Sequence, residues 1–308
     1  MYYYILNPAS GGGRINKIQD RLKSRLTELG IAGEFVKSIG EGDATKLAAM
    51  GVKKGFKTIV AVGGTGTINE VINGVGKNDI AVGIIPIGYK NELAKLLGIS
   101  DWQNACNILA ARKIDILDLG QVGKKYFITS VNIGFGAEIT STKPSDDSLF
   151  QKIKYYHHTL SWTSKFRPQK SKLNFNDDFM VETDFFNIQI SNARFSENQP
   201  QDAGSNLLDV LITGKVSGLN SFKYIMDPEK LKPEKKPDIS LFRAKRIAIN
   251  TPKPMNVAID GSIACKTPVV CQISNRQLKL IVARKKSSLK PGVKPEPPTK
   301  AKVKPTKK

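Results

Sequence analysis

The sequence is poor in the residues that build zinc sites, disulfide frameworks and histidine-based triads. Its three cysteines, Cys106, Cys265 and Cys271, form no CxxC pair and have no histidine at metal-ligand spacing, so neither a zinc site nor a disulfide framework is indicated. We expect the three thiols to be buried. The two histidines, His157 and His158, are adjacent, and no serine elbow accompanies them, which argues against a Ser-His-Asp triad.

Long apolar runs are lacking too. No segment approaches the ~18 to 20 apolar residues that a membrane-spanning helix needs. The run from Met1 to Leu6 leads into Asn7-Pro8 without the basic flank or the longer apolar core of a signal peptide. We therefore expect a cytoplasmic protein. With 308 residues, of which 40% are hydrophobic and 24% charged, the chain suits two globular domains.

Acidic residues are scarce, since 27 Asp and Glu stand against 48 Lys and Arg, and the formal net charge is +21. Residues 284–308 alone hold ten Lys or Arg and one Glu. Such a charge favours contact with phospholipid head groups or nucleic acid, although basic tails also occur simply to keep a protein soluble. The tail has no aromatic residues for stacking on bases. We therefore predict peripheral association with an anionic membrane surface and no nucleic-acid partner.

Hydrophobic periodicity divides the chain into three parts. Residues 1–117 alternate short β patterns with amphipathic helical patterns, which predicts a nucleotide-binding α/β domain with a mostly parallel sheet between helices. Residues 118–284 read as short strands between turns and predict a β-rich domain, with helical insertions at Tyr155 to Phe166 and Ser221 to Met226. Residues 285–308, rich in Lys and Pro, cannot form a core and are predicted to be disordered.

The individual elements follow from the same patterns. The predicted helices are Ile15 to Leu29, Asp43 to Lys54, Ile68 to Val75, Glu92 to Leu97 and Trp102 to Ala111. The predicted strands of the first part are Tyr2 to Leu6, Gly33 to Ser38, Thr58 to Val62 and Ile80 to Ile85. Those of the second part are Lys125 to Val131, Phe185 to Ser191, Leu207 to Thr213, Arg246 to Asn250, Asn256 to Ile259, Val269 to Ile273 and Leu278 to Val282.

The strongest functional signal is a glycine-rich turn in residues 60–71, which read VAVGGTGTINEV. A buried strand feeds a turn that opens a helix, and there backbone N–H groups and the positive end of the helix dipole can hold phosphate. The pattern is neither GxGxxG nor GxxxxGK[ST], which argues against a dinucleotide dehydrogenase and a Walker NTPase.

Two more turns follow strands of the same predicted sheet. Residues 7–13 read NPASGGG and residues 86–92 read PIGYKNE. The carboxyl ends of parallel strands meet at one edge of an open sheet, where ligands bind. Each glycine alone could serve only a tight turn, but three glycine-bearing turns at one edge outline a nucleotide cleft.

These motifs resemble, in order and spacing, the signature series of the diacylglycerol kinase catalytic family over roughly residues 1–283. The series comprises Asn7-Pro8-x-Ser10-Gly11, Gly63-Gly64-x-Gly66-Thr67-x-Asn69-Glu70-Val71-x-Asn73-Gly74, Pro86-x-Gly88-x-x-Asn91 and Asp260-Gly261. The resemblance implies the fold of the soluble diacylglycerol and sphingosine kinase-like lipid kinases and of NAD kinase, with a β-sandwich second domain. It also implies transfer of phosphate from ATP, with Mg²⁺, to a diacylglycerol-type lipid hydroxyl.

The resemblance further implies the roles of single residues. The nucleotide contacts that it implies are Asn7, Pro8, Ser10, Gly11, Ser38, Gly63, Gly64, Thr65, Gly66, Thr67, Asn69, Glu70, Gly88 and Asn91. Asn69 and Glu70 have a rival interpretation, because they could cap and charge-match the N-terminus of their own helix. Asp209 is the candidate metal ligand. Asp260 is the candidate proton acceptor or Mg²⁺ ligand, although an Asp-Gly pair is also a common hairpin turn.

The sequence departs from the family pattern where the chemistry is done. Thr65 replaces the Asp of GGDGT, and Ser262 replaces the Glu of DGE. A neutral hydroxyl can serve neither as a general base nor as an anionic ligand of Mg²⁺. Further departures are Ser38 for Thr, Tyr89 for Thr, Glu92 for Asp and Ser205-Asn206 for Asp-Gly. General-base catalysis is typically worth ~10² to 10⁴ in rate, so a kinase without it would be slow.

Two other functions stay open at this stage. One is a catalytically inactive relative that binds nucleotide or lipid, and the other is a kinase of a soluble metabolite such as NAD. The sequence also leaves open whether the chain forms homodimers.

Overall fold

Two β-sheets organise the chain, and one of them runs through both of its halves. The computed structural model describes residues 1–88, 91–140, 153–155, 157, 159, 161, 166–192, 206–214 and 239–283. The helices are α1 Arg14–Glu28, α2 Asp43–Lys53, α3 Thr65–Val75, α4 Glu92–Leu96, α5 Trp102–Ala111 and α6 Phe135–Thr140.

The strands number sixteen among these residues. The first nine are β1 Tyr2–Leu6, β2 Gly33–Lys37, β3 Thr58–Gly63, β4 Ala81–Pro86, β5 Ile114–Val122, β6 Lys125–Phe127, β7 Ser130–Gly134, β8 Gln169–Phe175 and β9 Phe179–Phe185. The others are β10 Asn187–Asn192, β11 Leu208–Thr213, β12 Ile239–Ala244, β13 Arg246–Asn250, β14 Asn256–Ile259, β15 Ser262–Lys266 and β16 Val269–Ile281.

The N-terminal part is a parallel sheet between helices, as predicted. Its strands lie in the order β2-β1-β3-β4, and Ile5 of β1 pairs with Val36 and Ala61. Successive side chains of a strand point to opposite faces. The Tyr4 hydroxyl accordingly donates to the carbonyl of Ile31 beyond α1, while the Tyr3 ring packs on Phe56, beyond α2, with centroids 4.9 Å apart. Both faces of β1 are therefore covered.

The long strand β16 connects the two parts of the chain. Its end pairs parallel with β4, at Lys279 and Ala81, while its beginning pairs antiparallel with β13, at Cys271 and Ile247. The antiparallel strand β5 accompanies it along both stretches. Both β5 and β16 contribute buried residues to each of the two cores. The domain division at residue 117 stays a prediction.

The second part is a sandwich of two sheets, as predicted. A six-stranded sheet in the order β12-β11-β10-β7-β14-β15 faces β8, β9 and β13 of the first sheet. Buried side chains of both sheets form one core; for example, the rings of Phe175 in β8 and Phe242 in β12 have centroids 4.8 Å apart.

Several elements differ from the prediction. Five strands and one helix were not predicted: β5, β8, β9, β12, β15 and α6. The single strand β16 was predicted as two strands, and β6 and β7 were predicted as one. Residues 274–276 of β16 are polar and carry a register shift, which explains the apparent gap in that strand. Cys106 and Cys271 are buried as expected, whereas Cys265 is only partly buried.

Some predicted features lie outside the described residues. They are most of the helix predicted at Tyr155 to Phe166, the helix Ser221 to Met226, the tail 285–308, Tyr89 and Ser205. Among the residues that the structure describes, no helix has both the length and the apolar character needed to cross a membrane.

Candidate nucleotide site

The N-terminus of α3 is the centre of the site. The buried strand β3 ends at Gly63, Gly64 is extended, and the helix begins at Thr65. No side chain of the described residues caps this helix. The first N–H groups of a helix have no partner within it, so those of Thr65, Gly66 and Thr67 suit an anion at the positive end of the helix dipole.

The turn after β1 packs against this helix start. The Asn7 side-chain amide donates to the Thr67 hydroxyl at 2.9 Å, and the Gly64 N–H donates to the Ser10 hydroxyl at 3.2 Å. Pro8 lies between them, half-buried. The structure therefore brings together the first two predicted turns.

The turn after β4 closes the third side. An ideal Cβ on Gly88 would lie only 2.7 Å from Gly64 Cα and 2.9 Å from Asn91 Oδ1. One on Gly11, whose φ is +61°, would lie 2.2 Å from the Ile87 carbonyl oxygen. Both positions therefore require glycine, and the three predicted turns meet as expected.

Asn91 presents a buried acceptor at this junction. It adopts a left-handed backbone conformation with φ 49°, and among the described residues its Oδ1 has no hydrogen-bond partner. A buried acceptor without a partner costs folding free energy. The atom is therefore suited to accept a hydrogen bond from a bound ligand.

Ser38 is used by the fold itself. Its backbone N–H donates to the Leu6 carbonyl at 2.8 Å, and its hydroxyl donates to the same oxygen at 3.3 Å. The residue is buried and ties the end of β2 to β1.

Asn69 and Glu70 lie further along α3 and also bind other elements. Glu70 Oε2 accepts from the Ala44 N–H at 3.1 Å, and the Thr45 hydroxyl donates to the Glu70 carbonyl. The rival interpretation placed Glu70 as a cap on its own helix; in the structure it caps the N-terminus of α2 instead. Asn69 donates to the Tyr126 carbonyl and to Asp260.

Asp260 occupies the two-residue turn between β14 and β15, with φ 44°, and Gly261 follows with φ 82°. Positive φ at both positions is the geometry of a type I′ hairpin turn. The carboxylate is 6% exposed and accepts five hydrogen bonds. The donors are the Asn69 amide, the N–H groups of Ile128, Thr129 and Ser130, and the Thr129 hydroxyl, at 2.6 to 3.1 Å. A carboxylate offers about four lone-pair sites, so these donors occupy it fully.

The contacts that join α3 to the strands β6 and β16 were not predicted from the sequence. The Asn73 amide donates to the Tyr126 carbonyl, and the Tyr126 N–H donates back to Asn73 Oδ1 at 2.9 Å. Arg276 donates to the Ile72 carbonyl at the end of α3 and lies 4.8 Å from the centroid of the Tyr126 ring. Burial lowers the pKa of this guanidinium. The place of Asn73 in the glycine-rich motif could have marked it as a functional residue. Nothing in the sequence around Arg276, a single basic residue in a polar stretch, predicted its contact with α3.

Asp209, the predicted metal ligand, is buried in β11. Its Oδ1 accepts from Arg243 Nε at 2.8 Å, and its Oδ2 has no partner among the described residues. The described part of the chain holds no group of three His, Cys, Asp or Glu side chains that could bind a metal ion. Among the described residues Asp209 therefore belongs to no cluster of three such ligands.

Comparison with known proteins agrees with this geometry. Residues 1–122 match the diacylglycerol kinase catalytic domain. The chain is 25% identical over 292 residues to a diacylglycerol kinase of Bacillus subtilis (strain 168), an alignment that covers 92% of this chain and 96% of the relative.

Solved structures share the fold. A diacylglycerol kinase from Bacillus anthracis str. Sterne superposes with a TM-score of 0.69 at 19% identity, covering 92% of this chain and 96% of that one. An NAD kinase from Archaeoglobus fulgidus in complex with ATP gives a TM-score of 0.53 at 11% identity, covering 91% and 93%. Together with the order of its motifs, these findings identify residues 1–122 as a diacylglycerol kinase catalytic domain and show that the chain as a whole is similar to proteins named diacylglycerol kinase and lipid kinase.

Proposed function

We propose that the chain is an ATP-dependent lipid kinase that phosphorylates the hydroxyl of a diacylglycerol-type lipid. The observation that carries the proposal is the N-terminus of α3, which no side chain of the described residues caps and on which the turns after β1, β3 and β4 converge. Backbone N–H groups at such a helix end bind phosphate without any charged side chain. The relatives named diacylglycerol kinase supply the substrate class.

The nucleotide would be held mainly by backbone groups. The N–H groups of Thr65, Gly66 and Thr67 would bind its phosphates, while Ser10 fixes Gly64 by accepting its N–H. The Oδ1 of Asn91, which has no hydrogen-bond partner among the described residues, would accept a hydrogen bond from the nucleoside. This arrangement orients the terminal phosphate, and phosphoryl transfer depends chiefly on positioning and electrostatic stabilisation.

Magnesium fits the site only in part. Mg²⁺ commonly combines one or two carboxylates with substrate phosphates and waters, and it would neutralise phosphate charge as the reaction proceeds. Thr65 offers a hydroxyl in place of a carboxylate. Asp209 Oδ2, buried and without a described partner, is the candidate protein ligand, beside the guanidinium of Arg243.

The proton acceptor is the weakest point of the proposed reaction. Ser262, exposed at the start of β15, holds no carboxylate. Asp260 remains the proposed acceptor, but it would have to give up one of the five hydrogen bonds that it accepts in order to take a proton. This observation favours a second candidate function, that of a relative that binds nucleotide or lipid without transferring phosphate.

Transfer of labelled γ-phosphate from Mg-ATP tests the proposal. The acceptors are a total lipid extract in mixed micelles and, separately, NAD. The native protein is compared with the double variant Thr65→Asp, Ser262→Glu and with its uncharged counterpart Thr65→Asn, Ser262→Gln. We expect the native protein to label a lipid slowly. Of the two double variants, only the acidic one should label the lipid faster than the native protein does.

Other results would change the conclusion. Label in lipid from the acidic variant alone would establish the binding-only function, because the lipid site survives without native chemistry. Label in NAD, with none in lipid, would overturn the lipid kinase in favour of a soluble substrate. Without label from any variant, retained ATP binding would also establish the binding-only function.

A further inference from the structure

Arg276 is a buried cation that no carboxylate balances in the described part of the chain. The residue is 8% exposed, and the ion pairs among the described residues do not include it. It lies where β16 departs from regular pairing, because residues 274–276 stand opposite the single residue Leu119 of β5. Such bulges re-aim a side chain and are common beside active sites. Burying a charge costs free energy unless other groups stabilise it, so neutral groups must stabilise this guanidinium.

Two neutral groups contact the guanidinium. Arg276 donates to the Ile72 carbonyl at 3.1 Å, and Ile72 belongs to the last turn of α3, whose carbonyls have no partner within the helix. The last turn of α3 has no basic residue of its own, and a cation at that end interacts favourably with the helix dipole. The Tyr126 ring, whose centroid lies 4.8 Å from Arg276 Cζ, adds a cation–π contact. Arg276 therefore supplies from β16 the positive charge that α3 lacks at its C-terminus.

Tyr126 connects this contact to the candidate site. Its carbonyl accepts from the side-chain amides of Asn69 and Asn73, both at 3.1 Å, and its N–H donates to Asn73 Oδ1 at 2.9 Å. Asn69 also donates to Asp260, whose carboxylate accepts from the N–H groups of residues 128–130 as well. The helix, the chain around Tyr126 and the candidate proton acceptor therefore form one hydrogen-bonded network, and the guanidinium lies at one end of it.

We propose that Arg276 is a positioning residue for the candidate phosphate site. The guanidinium holds the C-terminus of α3 against β6, and the N–H groups at the other end of the same helix thereby keep their orientation toward the phosphates. Regular secondary elements transmit such a constraint along their length. The inference deepens the proposed function and rests on it for the ligand, which is the phosphate chain of ATP.

An arginine that served stability alone would behave differently. Replacing a buried charge by an apolar side chain of similar size is often neutral for stability, or even stabilising. The proposal instead requires that Arg276→Met lose nucleotide affinity while the protein is still folded. Since the positive charge at the helix end carries the argument, Arg276→Lys must keep most of that affinity.

Titration calorimetry with Mg-ATP and amide hydrogen exchange on the full chain test the proposal together. The two Arg276 variants are compared with the native protein and with Ile247→Ala. Ile247 is fully buried in the second core, on the strand β13 that pairs with β16. The control therefore lowers stability by leaving a cavity away from α3. The exchange readout is the N–H groups of Tyr126 and residues 128–130, which Asn73 and Asp260 accept.

We expect Arg276→Met to bind ATP about tenfold more weakly, which is the size of one lost hydrogen bond from a charged group. Its amides at Tyr126 and residues 128–130 should exchange faster than those of the control. Arg276→Lys should stay within about threefold of the native affinity, because the charge and a donor to Ile72 remain. Ile247→Ala should unfold at a lower temperature and bind ATP as the native protein does.

Native ATP affinity in Arg276→Met would overturn the proposal, as would an equal loss of affinity in Ile247→Ala or a lysine variant as weak as the methionine variant. Where Arg276→Met does not fold, Tyr126→Leu gives the same comparison, because it removes the ring that contacts the guanidinium and keeps the backbone groups that bind Asn69 and Asn73.

The exchange measurement separates this proposal from the proposed function. A native protein that binds no ATP would overturn the nucleotide site itself. Faster exchange at Tyr126 and residues 128–130 in Arg276→Met than in Ile247→Ala would then still support the hold of Arg276 on this network, and equal exchange in the two variants would overturn it.

Discussion

Asn69 Nδ2 donates to Asp260 Oδ2 at 2.6 Å and so joins residues 191 positions apart in the sequence. Asn69 lies on α3, whose first turn forms the candidate phosphate site, and Asp260 lies in the turn between β14 and β15. This hydrogen bond ties the helix to the turn of the second sheet, and the four others to the same carboxylate hold Asp260 against residues 128–130. The orientation of the phosphate site therefore depends on a side chain of the other half of the chain.

Replacing Asp260 by Asn should destabilise the protein by about 2 to 4 kcal/mol. The amide keeps the shape but loses one acceptor oxygen, which leaves at least one buried donor without a partner. Urea unfolding measures the loss. Asp178→Asn, at an exposed position of the turn between β8 and β9, is the matched control and should change stability by less than about 0.5 kcal/mol. A stable Asp260→Asn protein that lost only phosphoryl transfer would instead assign Asp260 to the chemistry.

Gly88→Ala should weaken ATP binding more than it weakens folding. The new Cβ would lie 2.7 Å from Gly64 Cα, so the turn after β4 must move away from the start of α3. Titration calorimetry with ATP should show at least about a tenfold loss of affinity, which corresponds to about 1.4 kcal/mol. Gly40→Ala, where an added Cβ meets no atom within 4 Å, should bind ATP normally. Equal affinity in Gly88→Ala would mean that the nucleotide does not use this junction.

Stability should fall in alkali because two thiols are buried. Burial raises the pKa of Cys106 to about 11 and that of Cys271 to about 12, above the value of about 8.5 in an unfolded chain. Below pH 8 both states keep the proton, and stability does not depend on these groups. As the pH rises from about 8.5 to 11 the unfolded chain loses protons that the folded chain retains, so unfolding becomes easier.

Urea titrations at pH 7.5 and pH 10 should reveal this difference. In Cys271→Ala the dependence on pH should be weaker, even though the variant is less stable at every pH. A native protein as stable at pH 10 as at pH 7.5 would contradict the burial of both thiols.

Magnesium should stabilise the protein through Asp209 if that carboxylate binds the ion. We expect millimolar MgCl₂ to raise the thermal midpoint of the native protein in the absence of nucleotide, since a ligand that binds only the folded state stabilises it. Asp209→Asn should lose the effect, whereas Asp184→Asn, at an exposed position of β9, should keep it. An equal rise in Asp209→Asn would exclude Asp209 as the ligand.

Periodicity predicted the N-terminal part well because three of its four strands, β1, β3 and β4, are buried on both faces. β1 and β3 are continuous apolar runs, and α5 has the predicted bounds Trp102–Ala111. In contrast, β8 and β9 each have one face open to solvent and mix charged with apolar residues, so their pattern resembles that of a loop. Their pairing depends on the buried Phe175 and Phe185, which meet residues distant in sequence.

The parts of the candidate site that consist of glycine-bearing turns could be predicted from the spacing of the glycines. The contacts between side chains that lie far apart in the sequence could not. The three turns could be placed from Gly11, Gly64 and Gly88. The partners of Asp260 could not, because Asn69 and Thr129 are ordinary polar residues whose proximity only the fold creates. For the same reason the sequence suggested only that Glu70 could cap its own helix, α3, whereas in the structure Glu70 caps α2.

The strand β16 completes the nucleotide-binding part of the fold late in synthesis. The first core contains Leu278 and Leu280, and β4 pairs with this last strand. Until the ribosome has released residue 281, β4 lacks that neighbour, and an open strand edge of this kind invites association with other chains. The nucleotide-binding part should therefore mature only after residue 281 has emerged, and a fragment that stops at residue 122 should aggregate.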